Sequence, residues 1–197
     1  MTFEEHQSWE RDWHGNCVNE IGEKLKQFTY MVKMGILWRV DRGSSLWLNV
    51  KDISVVDIGG GCDSALLQTS GVKGTVIDPC DYPSWVVDRY KCAGIEYIKM
   101  KAEDIDITDP AMRFDECWMY NVLQHVENPE KVVKNAMAIS KIVRYFDCID
   151  YPASPGHPNV LTENSLNQWF NSSGTSQYID ENGFKGKVYY GIFKGNL

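Results

Sequence analysis

The residues best able to do chemistry gather in one short stretch, Val55-Val56-Asp57-Ile58-Gly59-Gly60-Gly61-Cys62-Asp63-Ser64. An apolar run ends in an acid and passes directly into three glycines. Glycine lets a backbone approach a ligand closely because no Cβ occupies the space, and a plain tight turn seldom needs three in succession. Two ligand groups use such a turn, dinucleotides and S-adenosylmethionine, and charge separates them. A pyrophosphate is held by the free N–H groups of a helix start, and the dinucleotide pattern wants glycine at position 64, where this chain has Ser64. Asp57 and Asp63 would repel a diphosphate. S-adenosylmethionine instead carries an ammonium, a sulfonium and two ribose hydroxyls, for which nearby carboxylates are favourable. Asp78 closes the next apolar run, where an acid accepts from ribose hydroxyls. NAD sites share that acid, so Asp78 indicates an adenosine-type ligand without choosing between the two.

Two histidines lie further along. His125 follows the run Glu116 to Tyr120, and an imidazole with an ordinary pKa near 6.5 suits a general base. Packing or capping at a helix start is the alternative. His157 sits in Pro155-Gly156-His157-Pro158, either touching substrate or simply packing its loop. Tyr120 is a second candidate substrate contact. Near the start of the chain Gln27 and Tyr30, polar at a helical spacing of three, are placed to reach a cofactor's methionine end, whereas Trp9 and Trp13 fit burial against a core.

These residues need a scaffold, and the chain has room for one. Its 197 residues favour a single core, and 43% hydrophobic with 24% charged residues is a globular composition. A net charge of −7 offers no general attraction to nucleic acid. The opening MTFEEHQSWERDWHGN is acidic and aromatic, unlike a signal peptide, and no later run has the length of a membrane span, so a soluble cytoplasmic protein is expected. Cys17, Cys62, Cys80, Cys92, Cys117 and Cys148 form no Cys-x-x-Cys pair, which suggests free thiols and no metal site.

From Phe3 to about Val40 the pattern is helical, with Ile21, Leu25, Phe28, Val32 and Ile36 spaced as one apolar face. The expectation is a helical N-terminal cap over 1–48 and a core over 49–197, within one domain. In that core, strands at Ile53–Asp57, Gly74–Asp78, Ile95–Lys99, Glu116–Tyr120 and Ile142–Ile149 alternate with helices at Ser64–Thr69, Trp85–Cys92 and Pro129–Ser140. That is the spacing of a doubly wound parallel α/β sheet. Thr162 caps a helix through Phe170, and Tyr178–Asp180 with Val188–Phe193 around Asn182-Gly183 reads as an antiparallel hairpin.

In order and spacing the chain resembles the class I S-adenosylmethionine-dependent methyltransferases. Asp57-Ile58-Gly59-Gly60-Gly61 resembles their first motif, Val76-Ile77-Asp78 the acid of the second, and Ala102-Glu103-Asp104 the loop after the third strand. The block Phe114 to Val126, ending Asn121-Val122-Leu123-Gln124-His125-Val126, is similar to the loop of members acting on small molecules. The resemblance implies a mostly parallel seven-stranded sheet with its last strand reversed and a cofactor set of Asp57, Gly59, Gly60, Gly61, Asp78, Pro79, Glu103, Asp104 and Asn121, joined by Gln27 and Tyr30. Lys101 stands where members carry an acid for the adenine amine, so Glu103 or Asp104 inherits that contact. No Asn/Asp-Pro-Pro-Tyr and no Pro-Cys follows the fourth strand, which disfavours nucleobase substrates. The reading is a methyltransferase on a small-molecule acceptor, with His125 as base and His157 and Tyr120 on the substrate. The alternatives are an NAD-dependent oxidoreductase on a similar sheet and a cofactor-binding module without turnover.

Overall fold

The computed structural model describes residues 20–39, 46–48, 52–69 and 72–197, with positions 5, 8 and 12 besides. Trp9 and Trp13, and most of the expected helix before Glu20, lie outside the described residues.

The first described element is helix α1, Glu20–Lys33. It ends at a turn in which Gly35 adopts φ +67, a conformation that costs glycine little. A short antiparallel ribbon follows, β1 Leu37–Arg39 paired with β2 Leu46–Leu48, so the helical pattern expected to run to about Val40 gives way to a strand at Leu37. Of the apolar positions spaced three to four apart, Ile21, Leu25, Phe28 and Val32 are exposed and only Ile36, beyond the helix, is buried; the buried stripe of α1 is Gln27, Tyr30, Met31 and Met34. Both stripes have helical spacing; the second wins because its two polar members end at a cleft while its methionines fill the core.

The main sheet holds β3 Ser54–Ile58, β4 Lys73–Asp78, β5 Glu96–Lys99, β6 Phe114–Tyr120, β7 Ser140–Cys148, β8 Thr175–Glu181 and β9 Phe184–Lys194. Their order is β5-β4-β3-β6-β7-β9-β8. The first five are parallel, and β9 runs antiparallel between β7 and β8, so the seven-stranded mixed sheet with a reversed last strand is borne out. Helix α2, Ser84–Cys92, links β4 to β5; α3, Pro129–Ile139, precedes β7; α4, Glu163–Phe170, precedes β8. Asn128 caps α3 with Pro129 in its first turn, and Thr162 forms a capping box on α4. The expected helix over Ser64–Thr69 is only a 3-10 turn, Ala65–Gln68.

Because side chains alternate along a strand, each sheet face carries its own core. Val56, Ile58, Cys117 and Met119 pack with α3 and α4, whereas Val55, Trp118, Tyr120 and Phe146 pack with α1 and α2. Arg144 on β7 ties α1 down. It makes a two-pronged pair with Glu116 (2.7 and 2.8 Å) and donates to the Met34 carbonyl at 2.9 Å. Among the described residues no helix is long and apolar enough to cross a membrane. The described cysteines form no disulfide.

Candidate active site

At the carboxyl ends of β3, β4 and β6, where the strand order reverses about β3, residues of α1 complete a cleft at the point where such sheets bind ligands. The glycine loop forms its floor. Gly59 has φ +71 and its N–H bonds the Ile77 carbonyl at 2.8 Å; a Cβ there would lie 1.7 Å from Val122 Cγ2. At Gly60 a Cβ would lie 2.9 Å from Asp57 Oδ2. Gly61, at φ +64, has no atom nearer its Cβ position than the Tyr82 hydroxyl at 3.7 Å, so it faces the open cleft.

Asp57 does not line the cleft but lies beneath this loop, wholly buried. Its Oδ2 accepts from the Ser64 hydroxyl and from the Tyr120 hydroxyl (2.6 Å), while Oδ1 has no partner. Burial pushes its carboxyl up to about 7, against the two hydroxyl bonds that favour the charge; nearby Asp78 adds to the rise. Tyr120 in turn accepts the Ala65 N–H at 2.9 Å, and Tyr90 bridges the Ser64 N–H (2.9 Å) and the Gly61 carbonyl (2.8 Å). Asp57 is thus the hub that holds the loop.

Asp78 is on the wall. Its carboxylate accepts the Gly61 N–H at 3.1 Å and the Cys80 N–H at 2.9 Å, bending the chain after β4 around the cleft edge where Pro79 follows. Glu103 is also on the wall, and its Oε1 takes the N–H groups of Glu127 (2.9 Å) and Asn128 (3.0 Å) at the start of α3. Asp104 is exposed and absent from the wall, because the 3-10 turn Ala102–Asp104 rotates it away from its neighbour. Lys101 bonds Glu127 at 3.1 Å, so Ala102 and Glu103 are what this loop presents.

The far wall comes from α1 and the loop after β6. Gln27 donates to the Asp63 carbonyl and accepts from Gln68 at 2.8 Å. Tyr30, on the wall, is buried with its ring 4.7 Å from Phe146 and 5.5 Å from Tyr120, and its hydroxyl has no partner. Asn121 takes φ +55 and hands its N–H to the Phe146 carbonyl at 2.9 Å. His125 lies on the wall in a turn rather than a helix, its N–H on the Val122 carbonyl at 3.0 Å. His157 is off the wall but its ring centroid stands 4.7 Å from that of His125. Sequence reasoning missed Glu23, Cys80 and Tyr82, which also line the cleft. Glu23 lies four residues before Gln27, one helical turn, which was the available signal.

Four carboxylates, Glu23, Asp63, Asp78 and Glu103, line the described cleft, and no lysine or arginine does. Asp63 is balanced from behind by Lys24 (3.9 Å) and Arg89 (3.6 Å). A cleft so lined suits a ligand with cationic groups and hydroxyls and is costly for a diphosphate.

Comparison with known proteins agrees with this geometry. Residues 56–142 match the family model described as a methyltransferase domain. The fold is shared with the N-methyltransferase NodS from Bradyrhizobium japonicum WM9, solved with S-adenosyl-L-homocysteine, at 14% identity over 74% of this chain and 79% of that one, TM-score 0.55. It is shared too with a methyltransferase from Thermotoga maritima described as a possible histamine N-methyltransferase, at 13% identity over 98% and 94%, TM-score 0.60. A third such structure is the Burkholderia thailandensis 1,6-didemethyltoxoflavin-N1-methyltransferase, at 14% identity over 74% and 72%, TM-score 0.55. No curated protein matches the sequence. Residues 56–142 thus resemble a methyltransferase domain, on a fold shared with S-adenosylmethionine-dependent methyltransferases, as the motifs implied.

Proposed function

We propose that this protein transfers a methyl group from S-adenosylmethionine to a small-molecule acceptor, as one domain with a cap over 1–48 and a core over 49–197. The observation that carries the reading is the cleft itself: a glycine floor open at Gly61, the Asp78 carboxylate at its edge, and a wall with four acids and, among the described residues, no lysine or arginine. The partnerless Tyr30 hydroxyl is a buried polar atom that a ligand would satisfy. Solved relatives of the same fold, the NodS and toxoflavin enzymes, hold S-adenosylhomocysteine, and the latter also holds a small-molecule substrate.

When bound, S-adenosylmethionine supplies an electrophilic methyl group, and catalysis is then chiefly alignment of the acceptor behind it. Gly59, Gly60 and Gly61 keep the floor free of side chains, and Asp78 would accept from ribose hydroxyls. Pro79, Ala102 and Glu103 would flank the adenine, with Asn121 beside them. Gln27 and Tyr30 would meet the methionine end from α1. Asp57 acts from below by holding Ser64 and Tyr120, so Tyr120 offers its ring rather than its hydroxyl to the cleft. His125 would take the proton of a protonated acceptor, with His157 at its side on the substrate.

Transfer of labelled methyl from S-adenosylmethionine to a panel of small amines and alcohols tests the reading. The wild type is expected to label one class, and His125→Asn to lose about 10²–10⁴ in rate while keeping cofactor affinity. Cofactor binding with no transfer to any acceptor would favour a non-catalytic module.

A further inference from the structure

The loop after β6 is gripped from two opposite sides by residues that the functional reading does not use. Asp147, fully buried near the end of β7, accepts the backbone N–H groups of Val122 (3.2 Å) and Leu123 (2.9 Å) and the side-chain amide of Gln124. Its remaining capacity is taken by the Tyr145 hydroxyl at 3.2 Å and the Cys148 N–H at 2.9 Å. On the other side Asn159, in the loop after β7, gives its side-chain amide to the carbonyls of Leu123 (3.1 Å) and Val126 (2.6 Å). Its own N–H goes to the Gln124 carbonyl at 3.2 Å. A carboxylate can only accept and an amide nitrogen can only donate, so the acid serves the loop's N–H groups and the amide its carbonyls. Both edges of an otherwise irregular turn are thereby satisfied.

A buried carboxylate is a costly way to hold a loop, since an apolar side chain of similar size is often at least as stabilising. What the carboxylate adds is direction. Its bonds fix where Val122 stands, and Val122 is the residue that closes on Gly59. The bonds of Asn159 bring its own loop against this turn, and two residues earlier that loop carries His157 to the His125 ring.

We propose that Asp147 and Asn159 are positioning residues, a two-sided clamp on Val122–Val126 that sets the His125 imidazole against His157 at the cleft wall. The assignment of a reaction to that imidazole rests on the methyltransferase reading; the clamp itself does not. Methyl transfer depends on alignment, so loosening the clamp degrades turnover more than it degrades cofactor binding.

The test uses the full chain without ligand, followed by nuclear magnetic resonance of the histidine rings and of the amides of Val122 and Leu123. Asp147→Asn turns one of the two accepting oxygens into a donor, so that the side chain can no longer serve both the Val122 and Leu123 N–H groups and those of Gln124 and Cys148, and Asn159→Ala removes the side-chain bonds to Leu123 and Val126 from a half-buried site. In both variants, with the far-ultraviolet circular dichroism of the wild type, the His125 and His157 ring signals are expected to move and their mutual Overhauser contact to weaken. Variants that fold and retain the wild-type ring signals and contact would overturn the proposal. If Asp147→Asn does not fold, Asn159→Ala decides alone. Calorimetry with S-adenosylhomocysteine on the wild type separates the two levels: no binding there would count against the methyltransferase reading while leaving the ring measurements to judge the clamp.

Discussion

The two walls of the cleft are built by different means. The turn of the glycine-loop wall is set by residues close in sequence to the strand ends that carry them, Asp57 holding Ser64 and Asp78 holding Gly61 and Cys80, with Tyr90 and Tyr120 bracing it from further along the chain. The opposite wall is assembled from distant pieces. Gln27 on α1 bonds the Asp63 carbonyl, Arg144 reaches the Met34 carbonyl, and Asn159 reaches back to Val126. A wall of short-range bonds tolerates little substitution at its turns but is written in a motif. A wall of long-range bonds depends on packing that no short motif records.

The comparison breaks most readily at Gly59, where the walls touch. Gly59→Ala would place a Cβ 1.7 Å from Val122 Cγ2 at a φ of +71. Steric displacement and the left-handed backbone together are expected to cost about 3–5 kcal/mol of stability, and cofactor binding should fall with it; urea unfolding measures the first. On the other wall the two faces of α1 should behave oppositely. Met31→Ala, on the buried stripe, is expected to cost about 2–4 kcal/mol, and Leu25→Ala, 54% exposed, less than about 0.5 kcal/mol. Equal losses would restore the apolar face that spacing alone suggests.

That contrast also marks what could be read in advance. The sheet strands stood out because Val55, Val56, Ile77 and Met119 are buried in apolar runs bounded by acids and glycines, and such runs announce parallel strands. The glycine loop and Asp78 carried their own chemistry in their types. The face of α1 was misread because its exposed stripe is as apolar as its buried one, so periodicity had two solutions and only the sheet beneath chose between them. Asp147 and Asn159 gave no signal at all. An acid inside an apolar strand and an asparagine in a proline-rich loop are unremarkable until the fold brings a third segment between them.

Asp57 offers a finer probe of the short-range wall. Its carboxyl is raised to about 7 in the folded protein, against about 3.9 in an unfolded chain. Between those values the folded state binds the extra proton, so this contribution to stability is complete below about pH 4 and is lost as pH rises through about 7. Asp57→Asn stays neutral throughout. The Tm of the wild type minus that of Asp57→Asn is therefore expected to fall by a few degrees between pH 5 and 8, followed by thermal melts. A difference independent of pH would mean that Asp57 is ionised throughout that range.

The acids of this cleft, with the glycine floor, favour a sulfonium cofactor over a dinucleotide. Titration calorimetry of the purified chain with S-adenosylhomocysteine and with NAD tests it most directly, with Asp78→Ala as the control for place. The account predicts binding of S-adenosylhomocysteine, none of NAD, and an affinity about 10–100-fold weaker in Asp78→Ala, equivalent to about 1–3 kcal/mol for a lost charged acceptor. NAD bound more tightly than S-adenosylhomocysteine, or a folded Asp78→Ala that binds as the wild type does, would contradict it.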